Sequence, residues 1–509
     1  MDAPLSARVL ALLDRLAAGG GGPVAGELAA DLGKVRAGLV EPLRVAVAGR
    51  LKSGKSTLVN ALLGRVVAAT DVGECTRVVT VFRYGFPERA VVEPREGPPQ
   101  DFPLTLDGRV PEDLPVDAAR TRAVTVFLTD DRLRSLILID TPGLASTREA
   151  YVAATRELLA IDGASRTAIN SADALVFLLS DTVREDDRSV INAFRELFGA
   201  TNSSAVNAVG VLGRADTVCL DDPDPLAGAA RLAVRHRDLL RPLVSTVLPV
   251  VGLWAESARS GGLTEHDAGV LRVIASLPRP YREQLLLSGR LFAAAPQKSG
   301  AGAPGGPAVP AAADRLRLLR HLGLLGVRRC LEWLDAGERT ATGLAARLEA
   351  GSGVRALEAE GLGALVRRRD VLKADAALRA LERIGGHGGR QASVLREEVE
   401  ALRLHPSMHR LVVLPVIEQV ATGAVQLPRE LVLDMERVAT GEQVTDQLGL
   451  ASHAPAEVVV SAAAPGAARW LRFANDGRAS PDQKRIARAM YREYAALRAQ
   501  LPGPPPSPR

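Results

Sequence analysis

The chain has 509 residues, 47% hydrophobic but only 3% aromatic, with a formal net charge of +5 and a pI near 9.3. A chain this long outgrows one core and divides into two or more domains. No run approaches the roughly 18 apolar residues of a bilayer-spanning helix, the opening MDAPLSARVLALLDRLAAG is no signal peptide, and the positive balance favours acidic surfaces without choosing between anionic lipid and nucleic acid.

Leu5, Val9, Leu12, Leu13 and Leu16 fall on one helical face before Gly19 to Gly22 break the pattern, and a second helix is predicted from Gly26 to Leu39. Next, Leu43 to Ala48 predicts a buried strand. It runs into Gly49, Arg50, Leu51, Lys52 and Ser53, then Gly54, Lys55 and Ser56, with Thr57 and Leu58 opening a helix to Leu63. This G-x-x-x-x-G-K-S spacing lets backbone N–H groups wrap a polyphosphate at the positive end of a helix. Lys55 is placed to reach the β- and γ-phosphates and the Ser56 hydroxyl to ligate Mg²⁺.

Asp71 to Arg77 reads as a polar linker before the strand Val78 to Phe82. Thr76 stands where a switch threonine gives its hydroxyl to Mg²⁺ and its carbonyl to the attacking water. Pro87 to Ala119 is rich in Pro, Asp and Glu without periodicity and predicts a surface excursion. The strand Ser135 to Ile139 ends in Asp140-Thr141-Pro142-Gly143, a D-x-x-G turn. There Asp140 can hold the magnesium through water and the Gly143 N–H can touch the γ-phosphate.

Strands follow at Asp173 to Leu179 and Val206 to Leu212, the second ending in Gly213-Arg214-Ala215-Asp216. Asp216 keeps the aspartate of an N/T-K-x-D element and can accept from guanine N1–H and the exocyclic amine, which rejects adenine. Arg214 replaces the lysine, its stem still able to cover the ring. A last strand, Val247 to Val251, precedes Gly252-Leu253-Trp254, where a backbone N–H can meet guanine O6. Taken in order, these motifs predict an α/β P-loop GTPase domain, and the alternation of strands and helices predicts a mostly parallel sheet with helices on both faces and the ligand at the carboxyl ends of the strands.

The Gly-, Pro- and Ala-rich stretch Ala294 to Ala313 predicts a linker. Helical stripes then occupy Asp314 to Gly337, Thr342 to Ile384 and Ser393 to Leu404, with Gly385 to Gly389 as a turn; Ser480-Pro481-Asp482-Gln483 starts a final helix, and the proline-rich tail from Pro502 predicts disorder. Leu411 to Ile417 reads either as core, the commoner outcome, or as a membrane-dipping tip, with the Gly385 to Gly389 turn as a rival tip. Arg367 to Arg369 reads as a solvated face, and His405 with His409 makes no metal site. Cys75, Cys219 and Cys330 form no paired motif, which argues against disulfides or zinc and for a reducing cytosol. The predicted division is 1–40 (N-terminal helices), 41–290 (GTPase domain), 291–313 (linker), 314–501 (helical bundle) and 502–509 (tail).

The segments EPLRVAVAGRLKSGKSTLVNALLG and TDVGECTRVVT, the DTPG and the GRAD resemble the bacterial dynamin-like proteins, in particular their actinobacterial isoniazid-inducible branch. The resemblance covers most of the chain and is dense from Glu41 to Gly85. It implies a GTPase head on a helical neck and trunk, with residues 1–40 packing into the neck. It also implies GTP/GDP and Mg²⁺ as cofactors, self-association or pairing with a second dynamin-like protein, and peripheral contact with an anionic membrane at the inner face of the cell membrane. Dynamins hydrolyse GTP with polar P-loop side chains and a bound monovalent cation. Here those positions are Leu51 and Lys52. Either the Lys52 ammonium replaces the cation or Lys52 points to solvent, and the expected catalytic set is Lys52, Lys55, Thr76 and Gly143. One rival reading is a weakly hydrolysing nucleotide-dependent scaffold. A ribosomal-RNA GTPase is disfavoured, because no RNA-binding signature follows the GTPase region.

Overall fold

The computed structural model describes residues 4–18, 26–50, 52–68, 78–111, 114, 120–141, 172–185, 187–188, 191, 207–240, 243–294, 309–386, 390–405, 408–421, 423, 425–440, 444–451 and 453–499. Leu51, Thr76, Pro142 and Gly143, the His387 to Gly389 part of the glycine-rich turn and the tail from Pro502 lie outside them.

Nine strands form one sheet: β1 (Leu43–Gly49), β2 (Val79–Tyr84), β3 (Arg89–Pro94), β4 (Gln100–Pro103), β5 (Thr121–Leu128), β6 (Leu136–Asp140), β7 (Ala174–Leu179), β8 (Ala208–Gly213) and β9 (Val247–Val250). Their spatial order is β4-β3-β5-β2-β6-β1-β7-β8-β9. The half from β6 to β9 is parallel, with β1 between β6 and β7. Its central strands are buried on both faces and therefore read as unbroken apolar runs. β2 turns antiparallel to β6 and sets Thr80 opposite Asp140.

The stretch Pro87 to Ala119, expected to be a surface excursion, carries strands of its own: β3 and β4 form an antiparallel pair, and β3 pairs with β5. Only Ala90 and Val92 of β3 are buried, too short an alternation to stand out among prolines and acids. β5 alternates little because most of it is covered on both faces.

Helices pack on both faces. One core joins Ala46, Ala48, Phe177 and Leu212 to Trp254, to Leu318, Leu322 and Leu331 of the helix Ala312–Asp335, and to Leu344 and Leu348. The other joins Val45, Val47 and Val176 to Leu58 and Leu62 of the helix Lys55–Leu63, and also to Val354, Leu357 and Leu365. The head's core therefore reaches Leu365, beyond the boundary expected at 290–313. After the Pro/Gly-rich stretch, packing resumes in the same domain.

Helices α1 (Leu5–Ala17) and α2 (Gly26–Val40) bury Val9, Leu12, Val35 and Leu39 against Leu378 and Leu381 of the helix Arg369–Gly385 and Leu395 and Val399 of the helix Arg390–Leu404. This layer meets the head through a buried ion pair, Lys373 Nζ to Asp173 Oδ2 at 2.8 Å. Burial pushes the Lys373 ammonium below its ordinary value, and Asp173 opposes the shift. Arg369, expected to be solvated, instead donates to the carbonyls of Val40 (3.1 Å) and Glu41 (2.7 Å) at the end of α2, a favourable place for a cation. Arg367 is exposed.

The last core joins Val413, Val416, Ile417, Met435, Trp470, Ile486, Met490 and Tyr494. Leu411 to Ile417 thus belongs to a helix, Arg410–Ala421, whose Val413, Val416 and Ile417 are interior; the tip reading is set aside. His409 Nε2 lies 2.8 Å from the Ala489 carbonyl, a structural contact. The final helix opens on the expected box: Gln483 N–H donates to Ser480 Oγ (3.2 Å) and Ser480 N–H to Gln483 Oε1 (2.7 Å).

Candidate nucleotide site

At the carboxyl end of β1 the backbone leaves the strand at Gly49 (φ +155). A Cβ there would stand 2.9 Å from both Leu178 Cβ and the Leu178 carbonyl oxygen, so only glycine fits. The loop tightens with Ser53 N–H donating to the Arg50 carbonyl at 3.2 Å, and Gly54 (φ +92) caps α3 (Lys55–Leu63). Lys52 adopts φ +62 and is exposed.

Lys55 is buried and donates through Nζ to the Arg50 carbonyl at 3.0 Å. Desolvation pushes its ammonium below the ordinary value, and Asp140 partly restores it. Ser56 Oγ donates to Asp140 Oδ2 at 2.7 Å. Burial pushes the Asp140 carboxyl up to about 6, against the Ser56 hydrogen bond and the Lys55 charge. Its second oxygen, Oδ1, is buried and has no hydrogen-bond partner, a hard acceptor suited to a hydrated Mg²⁺. No group of three or more His, Cys, Asp or Glu able to hold a metal occurs among the described residues; the oxygen donors brought together here are the Ser56 hydroxyl and the Asp140 carboxylate. Thr141 Oγ1 donates to the Val47 carbonyl at 2.9 Å, fixing the start of the DTPG turn.

Lys52 to Thr57, Asp140, Thr141, Gly213, Arg214, Asp216, Gly252 and Leu253 line one cavity of about 810 Å³. Arg50 turns its side chain to the buried Asp187, Nε to Oδ1 at 2.9 Å. Gly213 stands where an N/T-K-x-D element has Asn or Thr, and a Cβ there would lie 2.9 Å from the Ser53 carbonyl, so β8 ends flush against the phosphate loop with no room for either. Arg214 (φ +53) lays its stem beside Gly54, where a Cβ would sit 3.9 Å from Arg214 Cγ. Asp216 is 7% exposed, and burial pushes its carboxyl above the ordinary value while Arg214 opposes the shift.

Sequence reasoning missed two walls. Arg109, Val110, Pro111 and Leu114, from the supposed excursion, line the cavity, and so do Leu319, Gly323 and Leu324 from the helix after the linker. An isolated glycine in a helical stripe was the available signal for the second wall. Nothing in the residue pattern marked the first.

The dynamin family pattern matches residues 45–196. Isoniazid-induced protein IniC of Mycobacterium tuberculosis is 31% identical over 483 residues, 94% of each chain. Isoniazid-induced protein IniA of the same organism is 34% identical over 176 residues, 31% of this chain and 24% of IniA. A solved structure of an oligomerised bacterial dynamin pair, described as sensing and tethering membranes over long range, aligns over 97% of this chain and 74% of its own at 13% identity, with a TM-score of 0.32. With an IniC-like sequence along nearly its whole length and the dynamin pattern over its phosphate loop, the chain belongs to the bacterial dynamin-like GTPases of the dynamin family.

Proposed function

We propose that this chain binds GTP with Mg²⁺ and hydrolyses it, coupling nucleotide state to association of heads and to peripheral contact with an anionic membrane at the inner face of the cell membrane. One observation carries the nucleotide reading: one cavity is lined by a buried lysine, by a carboxylate with an unsatisfied oxygen and by a second buried carboxylate, Asp216. The loop from Gly49 to Thr57 supplies backbone N–H groups to the phosphates. Lys55, which holds the Arg50 carbonyl here, exchanges that oxygen for a phosphate oxygen, and Ser56 and Asp140 hold the metal. The metal held by Ser56 and Asp140 would supply positive charge to offset that of the terminal phosphates. Thr76 and Gly143 complete the γ-phosphate side in this reading.

Lys52, exposed beside the cavity in a left-handed backbone conformation, supplies the positive charge that the family takes from a monovalent cation. Turnover of Lys52→Ala with and without potassium tests this: equal kinetics with the unaltered chain would remove the role. Pairing and membrane contact rest on family membership and the basic charge. No described helix is long and apolar enough to cross a membrane. Turnover of GTP against ATP, with and without anionic liposomes, tests the whole: GTP selectivity with stimulation by lipid is expected, and rapid ATP turnover would overturn the base assignment. The loss of the family's polar pair at Leu51 and Lys52 favours one second reading, a nucleotide-bound scaffold with little turnover, which the same assay separates.

A further inference from the structure

We propose that the helix Ala312–Asp335 is a base-specificity element in which Gly323 shapes the edge where guanine meets Asp216, with Trp254 and Ser257 holding the helix in its kinked form. This rests on the nucleotide reading above.

Gly323 (φ 66, ψ 173) breaks the helix into two segments. A straight helix would have spent the carbonyls just before it on N–H groups one turn ahead. Instead the Leu322 carbonyl accepts from Trp254 Nε1 at 2.7 Å and the His321 carbonyl from Ser257 Oγ at 2.6 Å. Both donors sit on the helix Gly252–Arg259, whose first residues line the cavity. A second glycine makes the indole contact possible, because a Cβ on Gly326 would fall 2.6 Å from Trp254 Nε1. The kink is thus stabilised from the neighbouring helix and is not a local fault.

Its consequence lies at Asp216. A Cβ on Gly323 would stand 3.2 Å from Asp216 Oδ2 and 3.9 Å from Leu253 Cδ2, so the space beside this carboxylate is bounded by bare backbone. Asp216 lines the cavity and takes no hydrogen bond from another described residue. It is therefore free to accept the paired N–H donors of a guanine edge. Leu220, Leu253, Leu319 and Leu324 supply apolar contact for the ring. With no side chain possible at Gly213, the discrimination that other GTPases share with an Asn or Thr falls here to Asp216 and the wall that Gly323 shapes.

The test is equilibrium titration of the full chain, in Mg²⁺, with fluorescent GDP and separately with inorganic triphosphate, which lacks a base. In Gly323→Ala the added methyl and the positive φ should weaken GDP roughly tenfold or more while triphosphate affinity stays unchanged. Leu319→Ala, which leaves the backbone unstrained, should weaken GDP by roughly three- to tenfold with triphosphate again unchanged; it decides the matter if Gly323→Ala does not fold. Equal GDP affinity in Leu319→Ala and in any folded Gly323→Ala, with the unaltered chain binding GDP tightly, would overturn this inference alone. An unaltered chain that binds triphosphate but not GDP, or neither, would overturn the nucleotide reading beneath it.

Discussion

The C-terminal bundle and the cavity of the head each bury carboxylates, and they treat them in opposite ways. In the bundle, Asp434 receives Trp470 Nε1 at 2.7 Å and the Tyr494 hydroxyl at 2.9 Å, with the Arg437 guanidinium paired to it as well. Apolar residues from Val413 to Leu497 form the surrounding core, and the charge is saturated. In the head, Asp140 is bonded on one oxygen only, Asp216 receives nothing from other described residues, and Glu256 has a single donor, Asn60 Nδ2 at 2.7 Å. A buried carboxylate costs several kcal/mol unless its lone pairs are filled. The bundle meets that cost with protein groups, as the head does at Asp187 and Asp173; the two carboxylates that line the cavity, Asp140 and Asp216, leave it partly unmet where a ligand's groups would complete it.

The contrast is sharpened first at its most saturated member. Asp434→Ala strands an indole N–H, a phenol and a guanidinium, and should remove about 3–5 kcal/mol of stability in denaturant titrations while leaving GDP affinity of the folded protein unchanged. A loss of affinity with stability intact would reverse the roles assigned to the two regions. The head carboxylates should respond in the other direction. Burial holds Glu256 up to about 7. Its cost is therefore absent below the unfolded pKa, grows as pH rises through the interval, and is complete above 7. Glu256→Gln keeps an acceptor for Asn60 and should stabilise the nucleotide-free protein by about 3 kcal/mol at pH 8 and hardly at all at pH 4.5. A pH-independent shift in Tm would show that ionisation is not the cause. Asp140, held up to about 6, follows the same sign: Asp140→Asn should raise the nucleotide-free Tm at pH 8 and weaken Mg²⁺-dependent GDP binding, stability gained where function is lost. The smallest effect on stability is expected at Asp216→Asn, which exchanges an acceptor for a donor and should weaken GDP by about 10- to 100-fold with little change in Tm.

The head was legible in the sequence where one short segment fixes both backbone and chemistry. Gly49, Gly54, Lys55 and Ser56 show themselves by spacing, because a phosphate loop is local, and Asp140 and Asp216 by the strands they terminate. What escaped was assembled from distant chain. Leu319 and Gly323 line the cavity only because the chain re-enters the head's core after a Pro/Gly-rich stretch. The wall from Arg109 to Leu114 follows a hairpin whose strands bury too few residues to alternate visibly. Leu411 to Ile417 illustrates the converse: an apolar run flanked by bases suits a helix interior, the commoner outcome, and also a membrane tip, and the neighbouring helices decide between them. The Lys373 to Asp173 pair, which joins the α1 and α2 layer to the head, gave no local signal, since neither partner sits in a motif.

The central claim is that one cavity grips a guanine nucleotide by its phosphates at Lys55, Ser56 and Asp140 and by its base at Asp216. Titration calorimetry of the purified chain with GDP and with ADP, each in Mg²⁺, tests it most directly. The account predicts GDP binding at least about 100-fold tighter than ADP, with both lost in Lys55→Ala. Equal affinities for the two nucleotides, or GDP binding that survives Lys55→Ala, would contradict it.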